Sequence, residues 1–218
     1  MQIFLVSYFA KKIDILGSLL SNSQEEIVTT ALIVVDVQND FCEGGALAVQ
    51  GGNAVAVDIA SYVGKDLTLA HARGYQYVLA TRDAHIDPGE HFSADPDFID
   101  SWPKHCVVGT SGQQFHPAIA QLPFDAIFDK GAYAAAYSGF EGEAGDGLTL
   151  HQWLQNHGVL CVDIVGLASD YCVRATALDA ARNGYFTTVR LDMCAAVSPE
   201  QLPTVIEEFL ANEVLVVN

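Results

Sequence analysis

Residues 159–184 read V-L-C-V-D-I-V-G-L-A-S-D-Y-C-V-R-A-T-A-L-D-A-A-R-N-G, and this stretch decides the fold. Its first part, Val159–Val165, is an apolar run of strand length. The turn G-L-A-S-D-Y follows. Residues 172–183 then read as a helix that stops at Gly184, a residue suited to the left-handed conformation in which helices end. Another apolar run, Phe186–Leu191, comes at once. A strand, a helix and a strand joined this tightly make a parallel β-α-β unit. Similar runs recur at Ala31–Val35, Tyr75–Ala80, Phe124–Phe128 and Val214–Val217. Their hydrophobicity is unbroken rather than alternating, as expected for strands covered on both faces. Helical segments lie between several of them. Residues 53–73 carry Val55, Ile59, Tyr62, Val63 and Ala70 on one stripe and stop at Gly74. Residues 148–157 end at Gly158, and residues 199–211 follow a Ser198-Pro199 cap. The fold class read from this pattern is α/β: a doubly wound, mainly parallel six-stranded sheet with helices on both faces. Residues 83–122 show few strand or helix signals, and long loops of this kind are usually functional.

The chain has 218 residues, which favours one domain with a sizeable core. That domain is read over residues 31–218. Residues 1–30 are read as an N-terminal extension to which no role is given. Their apolar stretch precedes Lys11 and Lys12, the wrong order for a secretory signal. Ten basic residues face 27 acidic ones, a formal charge of -17. That balance argues against nucleic-acid partners and against anionic membrane surfaces. A small-molecule substrate, acted on by a monomer or small homo-oligomer, fits better. Five scattered cysteines without a C-x-x-C pair point to a reducing cytoplasm rather than a disulfide framework.

Ligands of an open parallel sheet bind at the carboxyl ends of its strands. Asp36 follows the first run, Asp83 and His85 the second, Lys130 the third, and Cys172 the fourth. Cys172 also opens a predicted helix, whose N-terminus favours a thiolate. Asp36 could accept its proton and Lys130 could stabilise the anion, the arrangement of an activated nucleophile. The competing reading is a buried, inert cysteine, which is preferred for Cys42, Cys106, Cys161 and Cys194. Asp36 and Lys130 could likewise be solvated loop residues. Asp83-x-His85 on extended backbone puts both side chains on one face. His91 follows a Pro-Gly turn, and His105 arrives from the far end of the same loop. One carboxylate and three imidazoles suit one divalent metal ion, zinc, iron or manganese; the alternative is a polar loop surface. Phe41 and Trp102 are candidates to stack on a planar ring, or to pack the core.

Five segments occur in one order: V-V-D-V-Q-N-D-F, T-R-D-A-H-I-D-P-G-E-H-F-S, W-P-K-H-C-V-V-G-T-S-G, K-G-A-Y-A-A-A-Y-S-G-F and V-G-L-A-S-D-Y-C-V-R-A-T-A-L-D-A. Together they resemble the nicotinamidase/pyrazinamidase family of isochorismatase-like hydrolases, from about residue 31 onward. The resemblance implies a metal-dependent amidohydrolase that converts nicotinamide to nicotinate and ammonia through a cysteine thioester. It implies Asp36, Lys130 and Cys172 as the catalytic triad and Asp83, His85, His91 and His105 as metal ligands. It implies a cis peptide at Leu167–Ala168, with the Ala168 and Cys172 amides facing an oxyanion. Phe41, Trp102 and Tyr137 match the ring pocket. Some relatives carry histidine just before the nucleophile, where this chain has Tyr171. Three rivals remain: a carbamoyl-amide hydrolase, which would lack the metal set; a non-catalytic metal- or ligand-binding module; and a thiol redox protein, disfavoured because no resolving cysteine lies near Cys172.

Overall fold

The computed structural model describes residues 28–218, so most of the expected N-terminal extension lies outside the described residues. Six strands form one sheet: β1 (Thr30–Val35), β2 (Tyr77–Asp83), β3 (Ala126–Lys130), β4 (Cys161–Leu167), β5 (Phe186–Ala195) and β6 (Leu215–Val217). The spatial order is β3-β2-β1-β4-β5-β6, and every pairing is parallel. The order reverses between β1 and β4, so the crevice where ligands bind such sheets lies at the carboxyl ends of those two strands.

Period-two geometry sends successive β1 side chains to opposite faces. Leu32 and Val34 join one core with Val55, Ile59 and Val63 of helix α1 (Gly52–Val63). Ala31, Ile33 and Val35 join the other. That second core takes in α3 (Leu150–Asn156), α4 (Cys172–Arg182) and α5 (Leu202–Ala211). A strand covered on both faces has no polar alternation, which is why the apolar runs locate the strands. Among the described residues no helix is long and apolar enough to cross a membrane.

The structure corrects three local expectations. The segment 53–73 is two helices, because α1 ends at Gly64, whose φ of 76° leaves the helical region; α2 (Thr68–Ala72) then starts afresh. Ser198 makes no side-chain cap, and Pro199 opens a 3₁₀ turn before α5. The second and third strands run past their apolar stretches to Asp83 and Lys130, which occupy the same register position on adjacent strands. Ladder hydrogen bonds carry polar residues into a strand wherever those residues find partners. Beyond Asp83, residues 84–122 hold one short 3₁₀ turn, Gly89–His91, and isolated bridges, in line with the few strand or helix signals there.

β4 can lie against β1 at the crevice because position 166 is glycine. Its φ is 118°, and a Cβ there would stand 2.2 Å from the Val35 carbonyl oxygen. Gly166→Ala is expected to cost about 3 kcal/mol or more of stability through backbone strain and overpacking. The urea midpoint measures this, and an unchanged midpoint would refute the packing argument.

Candidate active site

Asp36 is the first residue beyond β1 and is fully buried, with a φ of 50° that turns the chain out of the sheet. Its Oδ1 accepts a 2.7 Å hydrogen bond from the Thr81 hydroxyl. Its Oδ2 lies 2.9 Å from the Lys130 ammonium. Lys130 also binds Asp83 Oδ1, donates to the Ala136 carbonyl at 3.0 Å, and stands 3.8 Å from Cys172 Sγ. Cys172 is the first residue of α4. The three residues predicted to act together thus meet at one point, drawn from three strand ends.

Charge and burial oppose each other here. Burial alone would drive the Lys130 proton off, but the Asp36 and Asp83 carboxylates outweigh it and hold the ammonium well above its ordinary range. Burial raises the Asp36 carboxyl against the pull of Lys130. For Asp83, burial is overcome by Lys130 and His85, and its carboxyl stays well below the usual range. The helix N-terminus was expected to favour a thiolate at Cys172. In the structure, burial pushes the thiol well above its ordinary value, with Lys130 opposing and Asp36 and Asp83 adding to the rise. Cys172 therefore rests as a thiol.

A second group adjoins the first. Nitrogen atoms of His85, His91 and His105, one from each ring, lie within 4.8 Å of one another. Asp83 Oδ2 is 3.5 Å from His85 Nε2 and 3.9 Å from His105 Nε2. The Nδ1 atom of His85 bonds the Gly131 carbonyl at 2.6 Å, and that of His105 bonds the Pro103 carbonyl at 2.7 Å. A carbonyl only accepts, so each Nδ1 carries the proton and each Nε2 offers a lone pair. Two ring nitrogens, His85 Nε2 and His91 Nδ1, are buried without a hydrogen-bond partner. Burial holds His105 below its ordinary value and His91 down to about 4, which favours the neutral form in both rings. Ligand bonds of ~2.1 Å put the donors of a tetrahedral site about 3.4 Å apart. The three imidazoles, with Asp83 Oδ2 beside two of them, can converge on one divalent ion if the donors draw slightly together. Gly131 keeps His85 in place, since a Cβ there would lie 2.6 Å from His85 Cε1.

A cavity connects the two groups, with Cys172, Asp83, His91 and His105 on its wall. Phe41, Trp102 and Tyr137 line it. Trp102 Nε1 donates to the Tyr137 hydroxyl at 3.1 Å, and the Phe41 ring lies 5.4 Å from that of His105. Ala168 lines it too, and the peptide Leu167–Ala168 is cis. Sequence reasoning missed Leu47, Val49, Ala136 and Val197 as lining residues. All are small or aliphatic residues that nothing in the sequence separates from core. Tyr171, noted only as a departure, packs edge-on against Trp102 at 5.1 Å and also faces the cavity.

This architecture and site belong with a known class: residues 30–217 match the Isochorismatase domain model, and the chain is a member of that family. More particularly, it is 54% identical over 178 residues to the nicotinamidase/pyrazinamidase of Mycobacterium tuberculosis, covering 82% of this chain and 92% of that one. A structure of the Pyrococcus horikoshii pyrazinamidase in complex with zinc superimposes with a TM-score of 0.72 at 36% identity, over 87% of this chain and 98% of that one. PnC1 from L. infantum in complex with nicotinate gives a TM-score of 0.73 at 29% identity, over 88% and 94%.

Removing the central cation should leave two carboxylates facing each other in a dry interior. Lys130→Met is expected to destabilise the fold by roughly 3–5 kcal/mol. Equilibrium urea unfolding measures it. A loss below about 1 kcal/mol, the range of surface pairs, would contradict the buried-triad account.

Proposed function

We propose that this protein hydrolyses nicotinamide to nicotinate and ammonia, and pyrazinamide by the same route, through a thioester on Cys172. One observation carries the reading: Cys172, backed by the buried Lys130–Asp36 pair, opens on a cavity walled by aromatic rings on one side and by His91, His105 and Asp83 on another. A flat heteroaromatic amide matches that lining, and the three relatives described above support it. The five cysteines are all free thiols, in keeping with a cytoplasmic setting.

Asp83, His85, His91 and His105 would hold one divalent ion of zinc, iron or manganese. When bound, the ion supplies Lewis-acid contact and orientation for the substrate ring. Phe41, Trp102 and Tyr137 hold the ring and exclude water. Asp36 takes the thiol proton, and the sulfur forms a bond to the carboxamide carbon as the C=O pair moves to oxygen. The backbone amides of Ala168 and Cys172 donate to that oxyanion; one such donor is worth ~3 kcal/mol of barrier. Asp36 passes its proton to the leaving nitrogen, the C–N bond breaks, and ammonia departs. Asp36 then takes a proton from water, whose oxygen attacks the thioester carbon. The C–S bond breaks, nicotinate leaves, and the proton returns to sulfur. Lys130 stays charged throughout and steadies each anionic state.

Two outcomes are expected. Cys172→Ala lowers kcat for nicotinamide by roughly 10⁴-fold or more while still binding nicotinate in a calorimeter. Ordinary turnover by that variant would remove the covalent scheme. Dialysis against a chelator abolishes ammonia release, and adding back zinc, iron(II) or manganese(II) restores it. Full activity in metal-free protein, verified by elemental analysis, would remove the metal from the reading.

A further inference from the structure

The backbone of β2 has two hydrogen-bonding edges. Ala84 N donates to the Lys130 carbonyl, so even-numbered residues here face β3 and odd-numbered ones face β1. β1 serves its edge only as far as Thr81. Val35, its last residue, pairs with Thr81, and the Asp36 amide adds one bond to the Thr81 carbonyl at 3.2 Å. Asp36 then turns away. The next groups on that edge, the N–H and C=O of Asp83, have no strand beside them. An unpaired peptide group in such an interior is costly.

The side chain of Gln38 takes both. Asp83 N donates to Gln38 Oε1 at 2.8 Å, and Gln38 Nε2 donates to the Asp83 carbonyl at 2.8 Å. The second Nε2 hydrogen goes to the Gln113 carbonyl at 2.8 Å. Gln38 is fully buried. Its planar carboxamide has the donor–acceptor pair of a peptide unit. One step further along, the loop takes over: His85 N donates to the Cys106 carbonyl, and Val108 N to the His85 carbonyl. The edge of β2 is thus completed in sequence by a strand, a side chain and a loop.

We propose that Gln38 is a positioning residue: its carboxamide replaces a peptide unit of β1 and fixes Asp83 where one carboxylate oxygen meets Lys130 and the other meets the imidazoles. This rests on the metal-site reading given under the proposed function. The Asp83 backbone has no other partner on that side to hold it, and both carboxylate contacts depend on where that backbone sits.

The test uses Gln38→Met, similar in shape but without amide donors or acceptor, and Gln38→Glu, which keeps an acceptor for Asp83 N and loses both donors. Three quantities are read on the full chain: amide hydrogen exchange at Asp83, zinc affinity by competition with a chromophoric chelator, and kcat and KM for nicotinamide. In both variants the Asp83 amide should exchange faster, and zinc affinity and kcat should each fall roughly 10- to 100-fold with KM within about twofold. Tyr75→Phe is the stability control. It deletes the 2.6 Å hydrogen bond to Asp163 before the opposite end of β2, and it should leave zinc affinity unchanged. His91→Ala separates the two readings. Loss of zinc binding in His91→Ala, with wild-type affinity in both Gln38 variants, overturns the Gln38 assignment alone. Wild-type affinity in His91→Ala overturns the metal-site reading; Gln38 is then judged by the Asp83 amide, and unchanged exchange there overturns it too.

Discussion

The structure depends on one buried cation. Lys130 sits between Asp36 and Asp83 with essentially no solvent contact on any of the three. Taking such charges out of water costs several kcal/mol each, and only close geometry with further hydrogen bonds offsets it. The sheet supplies that geometry. Asp83 and Lys130 are register partners on β2 and β3, and Asp36 leaves the adjacent strand β1 one residue short of that level. Neighbouring parallel strands lie about 4.8 Å apart, so side chains from three of them span the gap without reaching. The requirement for paired charge thereby fixes how far β2 and β3 extend past their apolar stretches.

Asp83 links the two halves of the site. Its Oδ1 belongs to Lys130, and its Oδ2 faces His85 and His105. A carboxylate shared in this way is held ionised by the ammonium, so it stays available to the imidazole side. Cys172 and the imidazole cluster are therefore not independent. Any shift of the Asp83 backbone disturbs the ion pair that steadies Cys172 and the donor set across the cavity together.

The sheet was legible because both its faces are covered: the apolar runs of β1, β4 and β5 mark themselves. Strand ends were less so. Arg82, Asp83 and Lys130 read as loop by hydrophobicity, yet they are strand, since their backbone groups are paired and their charges are matched. Helix 53–73 misled because its stripe continues in phase across Gly64. At the site, position after a strand identified Asp36, Asp83, His85, Lys130 and Cys172, and the Pro-Gly turn accounted for His91. Tyr137 and Ala168 came from resemblance alone. Val49, Ala136 and Val197 carried no signal, since an aliphatic residue at a cavity wall and one in a core have the same composition and differ only in what faces them.

In the proposed mechanism, burial also explains how an unreactive resting site would become reactive. A thiolate left standing beside Asp36 and Asp83 would carry a third negative charge against one cation, and the dry surroundings would not screen it. The thiol form is the lower state. Transferring its proton to Asp36 changes this. The carboxylate becomes neutral as the sulfur becomes anionic, so the net charge around Lys130 is conserved while the negative charge moves from one partner of the ammonium to another. Lys130 Nζ lies 2.9 Å from Asp36 Oδ2 and 3.8 Å from Cys172 Sγ, close enough to serve both states with little movement. The raised Asp36 carboxyl narrows the gap between them further. A helix N-terminus acting alone would favour a standing thiolate; in the proposed mechanism this arrangement would generate one only as the proton moves.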